Sequence, residues 1–120
     1  MKPEEWESIA PAILKENIEI LLDVKNLYAD TVLLGRDYPE RSSDPEFKLK
    51  LLKAEVEKMS PAKKKALVSK LFIGTDFPWF YKYVLRGDYR SQQECMAQVF
   101  GDDFDETEMT KNFLSLLPQK

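Results

Sequence analysis

Between residues 11 and 34 apolar side chains return every three or four positions: Ile13, Leu14, Ile18, Ile20, Leu21, Val24, Leu27, Tyr28, Ala29 and Val32. At about 100° per residue they sweep one broad face of a helix, and a narrow polar stripe is left over. That stripe carries Glu16, Glu19, Asp23, Asn26 and Asp30, with Lys15 at its start. A face so wide predicts a central helix contacted on most sides. The same periodicity and its punctuation predict helices over 3–9, 11–34, 45–59, 61–72, 77–86, 92–100 and 106–117. Strict alternation surfaces only in "FKLKL" at 47–51, and no Asn-Gly or Asp-Gly hairpin turn is present.

The punctuation agrees with helices. Gly35, Gly74, Gly87 and Gly101 each follow an apolar-periodic stretch, where a residue of positive φ closes a helix. Pro45 and Pro61 stand behind Asp44 and Ser60, as first-turn prolines behind caps. Ser91 with Glu94 and Asp105 with Glu108 have capping-box spacing, and Phe104 and Met109 have the spacing of a hydrophobic staple. The expected architecture is therefore all-α: a compact single-domain bundle of about six helices over residues 1–120, with the long N-terminal helix as its spine.

The stretch "GTDFPWFYKYVLRG", residues 74–87, is the most aromatic part of the chain. On a helical wheel Phe77, Phe80, Tyr81, Val84 and Leu85 share one face, which suits a core. Trp79 and Tyr83 fall elsewhere, four residues apart, beside Lys82 and Arg86. Trp, Tyr and Arg are enriched at binding hot spots, so this quartet is a candidate contact patch.

Composition narrows the chemistry. The 120 residues are 43% apolar and 32% charged, the profile of a globular domain. There is no histidine, and Cys95 is the lone cysteine. An internal disulfide, the usual zinc sites and imidazole-dependent nucleophilic relays are thereby excluded. Cys95 lies among Met96, Val99 and Phe100 at helical spacing, as a packed small hydrophobe would. "FGDDFDETE" at 100–108 is acid-rich, but counting from Asp103 the sixth and twelfth places hold Glu108 and Leu114, which fails the calcium-loop pattern. "RGD" at 86–88 is too short to carry a function. No cofactor or metal is expected, and no catalytic residue is assigned. The acidic start "MKPEEWESIAP" lacks a secretory pattern and no apolar run could span a bilayer, so the expected location is the cytoplasm.

The net charge of −3 hides a division. Residues 1–46 hold eleven acids against five bases, whereas residues 47–70 hold two acids against eight lysines. Two binding hypotheses follow. The leading one is a non-enzymatic protein-binding module of inhibitor, immunity, antitoxin or adaptor type. Its contact residues would be Glu16, Glu19, Asp23 and Asp30 together with Trp79, Lys82, Tyr83 and Arg86, and its partner a protein with a basic surface, or a second copy through the aromatic patch. The alternative is an anion or nucleic-acid binder using Lys48, Lys50, Lys53, Lys63, Lys64 and Lys65. Against it stand the absence of arginine from that segment and the prospect that the acidic first helix neutralises the basic second one. An enzyme with carboxylate-held magnesium is the third and weakest reading.

Overall fold

The structure, a computed structural model, describes residues 2–31, 44, 46–74 and 89–118. The first helix, α1, runs Pro3–Asp23. Pro3 occupies its first turn, where no amide donor is needed, and the Glu5 carboxylate accepts from the Lys2 N–H at 3.0 Å. The sequence pattern suggests a break at Pro11, yet α1 continues through it. An interior proline removes one backbone bond and costs about 3 kcal/mol. Packing on both sides holds this one in place: Ala10 is buried, and Leu14, Ile18 and Leu21 dock on the core beyond it.

α1 also ends eleven residues before the expected limit at 34. Val24 turns extended (φ −92°, ψ 113°) while its N–H still closes on the Ile20 carbonyl. No basic residue lies in the last turn of α1 itself. Lys70, 46 positions away from Val24, supplies the charge instead, its Nζ donating to the carbonyls of Val24 (2.6 Å) and Lys25 (2.8 Å). A cation at a helix C-terminus satisfies orphan carbonyls and opposes the dipole. The same ammonium lies 5.4 Å from the centre of the Tyr28 ring.

Beyond this turn the chain does something the periodicity did not announce. Ala29–Asp30 forms a short strand, β1, paired in parallel with β2, Leu71–Phe72. Ala29 stands opposite Leu71 and Asp30 opposite Phe72, with Ala29 N–H on the Lys70 carbonyl at 2.9 Å and Thr31 N–H on that of Phe72 at 3.1 Å. Gly74 follows β2. A side chain there would meet the Asp30 side chain, because an ideal Cβ on Gly74 lies 3.1 Å from Asp30 Cβ. Gly74 therefore serves close approach rather than helix closure.

Between the strands lie α2 (Phe47–Glu57) and α3 (Pro61–Val68). The start of α3 follows the sequence signals: Pro61 sits in the first turn and Ser60 Oγ accepts from Lys63 N–H at 3.2 Å. Ahead of α2, Asp44 accepts from Glu46 N–H at 2.9 Å. The next helix, α4, spans Tyr89–Phe100, so Ser91 lies inside its first turn and is not the cap its spacing with Glu94 suggested. Gly101 (φ 55°) closes α4 and opens a 3₁₀ turn over Gly101–Asp103. α5 (Glu106–Ser115) is capped as expected, with Asp105 accepting from Glu108 N–H at 3.1 Å. The expected helix over 77–86 lies outside the described residues.

The architecture is all-α and compact, with five α-helices among the described residues. α2 packs on α4, α1 on α2 and α3, and α5 on β2. The core is built from Val56, Leu67, Val68, Cys95, Met96, Val99, Phe100 and Met109, joined by Ile18 and Leu21 from α1. Two amides are sealed inside it. Asn112 Nδ2 donates to the carbonyls of Val68 (3.1 Å) and Leu71 (2.7 Å), tying α5 to the end of α3 and to β2. Gln92 is fully buried, and among the described residues neither its Nε2 nor its Oε1 has a hydrogen-bond partner.

Candidate protein-binding groove

Only part of the broad apolar face of α1 reaches the core. Ala10, Leu14, Ile18 and Leu21 are buried or pack on the core on the side of α2 and α3, whereas Trp6, Ile9, Ile13, Ile20 and Val24 are each 43–48% exposed. The expectation of a helix covered on most sides is thus corrected: α1 lies at the edge of the core and keeps a second apolar stripe open. The reason is geometric. A helix has room for two or three neighbours, and among the described residues the body supplies contacts to one side of α1 only.

Beside the open stripe runs a groove of about 630 Å³. Trp6, Ile13 and Ile20 of α1 form one wall, Leu51 and Leu52 of α2 the other, and Leu27 and Tyr28 the end near the turn. Leu67, Leu71 and Met96 reach it from below. Near the N-termini of α1 and α2 the rings of Trp6 and Phe47 meet edge-on, with centroids 5.9 Å apart and planes at 90°.

The polar residues are placed as follows. Glu16, Glu19 and Asp23 are all exposed on α1 and make no salt bridge among the described residues. At about 100° per residue, Glu16 and Asp23 fall within about 60° of Ile9 and Ile20, so they form the outer border of the open stripe, with Glu19 further round. Asp30 is exposed too, but it stands on β1 and lines the groove from its end. The acidic stripe read from the sequence is therefore three residues long on the helix, with the fourth carboxylate carried by a strand. Trp79, Lys82, Tyr83 and Arg86 lie outside the described residues.

The lysines are divided between α2, which carries Lys48, Lys50 and Lys53, and α3. Lys48 lines the groove from α2, Lys50 pairs with Asp44 at 2.7 Å, and Lys58 pairs with Glu55 at 3.1 Å. Lys63, Lys64 and Lys65 stand on α3. The hydrogen bond and charge of Asp44 push the Lys50 ammonium above its ordinary range. Among the described residues no cluster of three or more acidic, cysteine or histidine side chains could hold a metal ion, and no helix is long and apolar enough to cross a membrane. Cys95 is buried in the core.

A smaller hollow of about 280 Å³ lies between β2, α4 and α5, lined by Phe72, Ile73, Tyr89, Met109, Thr110 and Phe113. There the Phe72 and Phe113 rings stand 5.6 Å apart, and Tyr89 donates from its hydroxyl to Glu106 at 3.1 Å.

Sequence reasoning missed Lys70, Gln92 and Asn112. Gln92 and Asn112 could have been suspected, since each is an amide set at core-facing spacing, three residues from Cys95 and from Met109. Nothing local marks Lys70, whose partners are distant in sequence. No protein-family model, curated protein or solved structure matches the chain.

Proposed function

We propose that the chain is a non-enzymatic protein-binding module that grips its partner along the open side of α1. One observation carries this reading: five large apolar side chains, Trp6, Ile9, Ile13, Ile20 and Val24, stay about half exposed along α1 and its C-cap, and three of them, Trp6, Ile13 and Ile20, line an apolar groove. Contiguous exposed apolar surface of that extent is uncommon on a monomer and marks contact sites. The bordering carboxylates Glu16, Glu19 and Asp23, with Asp30 at the groove's end, would steer the encounter, while Trp6 and the isoleucines would supply the desolvated anchor.

The test is a photo-crosslinking residue placed at position 13, compared with one at position 53 on the far side of α2, in cells of the source organism. A protein captured at 13 but not at 53, and lost when Ile13→Asp and Ile20→Asp are combined in a chain that still melts cooperatively, supports the reading. Capture of no protein at 13, or of the same proteins at both positions, removes it.

A further inference from the structure

The groove has features that specify what fits it. The open stripe from Trp6 to Val24 extends about 27 Å at 1.5 Å per residue, the length of a helix of about 18 residues. It is apolar along its floor and acidic along its α1 edge. Glu16 and Asp23 border it on the α1 side, with Glu5 at the same angle as Asp23, while Lys48, engaged in an interaction of its own, lines the α2 wall. α1 itself carries six acids against Lys15 alone.

We infer that the occupant is an amphipathic helix of a different protein, apolar on one face and lysine- or arginine-rich along the flank that meets Glu16 and Asp23; this rests on the protein-binding reading above. Helix-in-groove recognition uses anchors at i, i+3, i+4 and i+7, which a straight groove beside a helix accepts. The acidic border on the α1 side alone sets which flank of the partner helix faces it. A basic flank also relieves the like-charge spacing of Glu19 and Asp23 at i, i+4.

A second copy of this chain fits less well. Apart from α1, among the described helices α5 alone sets large exposed apolar side chains, Phe113 and Leu114, beside a cation, and that cation is the single Lys111. The lysines of α2 and α3 ride on helices whose Leu49, Val56, Leu67 and Val68 are already in the core, and α5 opens with Glu106 and Glu108. An antiparallel pairing of α1 with its own copy would set one acidic border against the other. Anionic membranes meet the same repulsion.

The probes are three fluorophore-labelled synthetic helices of about 20 residues, identical in apolar face and carrying Lys, Gln or Glu along one flank. Fluorescence anisotropy at low salt should rank them Lys, Gln, Glu, with the first and last separated by at least about tenfold in Kd. The Glu16→Lys, Asp23→Lys double variant, folded by circular dichroism, should reverse that order. Equal affinities, no binding by any helix, or an order unmoved in the double variant overturns the inference. So does tighter binding to phosphatidylcholine or phosphatidylserine vesicles, or a dimer in sedimentation that Ile13→Asp dissolves. The two levels fail separately. A protein captured at position 13 with no charge ranking among the helices sinks the inference alone, whereas capture of nothing there sinks the reading beneath it as well.

Discussion

Met96 of α4 and Ile13 of α1 are both apolar side chains set at helical spacing, yet Met96 is 0% exposed and Ile13 47%. Around Met96 the helices α2, α3 and α4 converge with Val56, Leu67 and Val99, leaving no surface open. Around Ile13 the helix has neighbours, among the described residues, on its other side only. Burial is a property of what faces a residue, and periodicity reports only the face itself. The sealed half of the molecule is built for stability.

The largest effect that would expose this contrast is truncation at the two sites. Met96→Ala should lower stability by about 2–5 kcal/mol, because it removes contacts and leaves a cavity. Ile13→Ala should change it by less than about 1 kcal/mol, since half of that side chain already meets water. Urea unfolding measures both, and equal losses would mean that α1 is covered on its open side after all.

Next comes Asn112→Leu, expected to cost about 2–4 kcal/mol, since it strands the buried carbonyls of Val68 and Leu71 that Asn112 now satisfies. Hydrogen exchange should quicken at the amides of β1 and β2 in that variant; unchanged protection would deny Asn112 its tethering role. Gln92→Met sharpens the comparison from the other direction. Gln92 is sealed, and among the described residues neither amide atom is partnered, so an apolar chain of similar volume should raise stability by about 1 kcal/mol. A destabilised Gln92→Met would show that the amide is satisfied in solution.

The smallest effect is alkaline. Tyr89 has its ionisation raised, first by burial and then by its hydrogen bond to the Glu106 carboxylate. A raised folded-state pKa favours the protonated form, so its contribution to stability is complete below the phenol's ordinary value near 10 and fades as pH climbs through the raised one. Melting temperatures of the natural chain and of Tyr89→Phe, followed from pH 8 to 11, should converge at the alkaline end. A gap independent of pH would assign Tyr89 to packing alone.

Several elements could be read before any coordinates were known. The first helix begins at Pro3, Ser60 and Asp105 cap their helices, Gly101 closes α4 with positive φ, and the chain is all-α. Each of these depends on residues within a few positions of one another, and local backbone chemistry decides them. The acidic edge of α1 was equally legible, because Glu16, Glu19 and Asp23 keep their helical spacing wherever the helix packs.

What tertiary contact alone decided is everything that joins distant residues. α1 stops at Asp23, where Lys70 holds the Val24 and Lys25 carbonyls just past its end and β2 claims Ala29 and Asp30; neither partner lies within 40 residues of the site it alters. That is why residues 25–31 read as helix and fold as turn and strand. The division of one broad apolar face into a buried half and an open half was likewise invisible, since a periodic pattern states which side chains point the same way and cannot state how many neighbours arrive to cover them. Local sequence sets the direction of each side chain on its element; contacts across the fold set which of those directions face water.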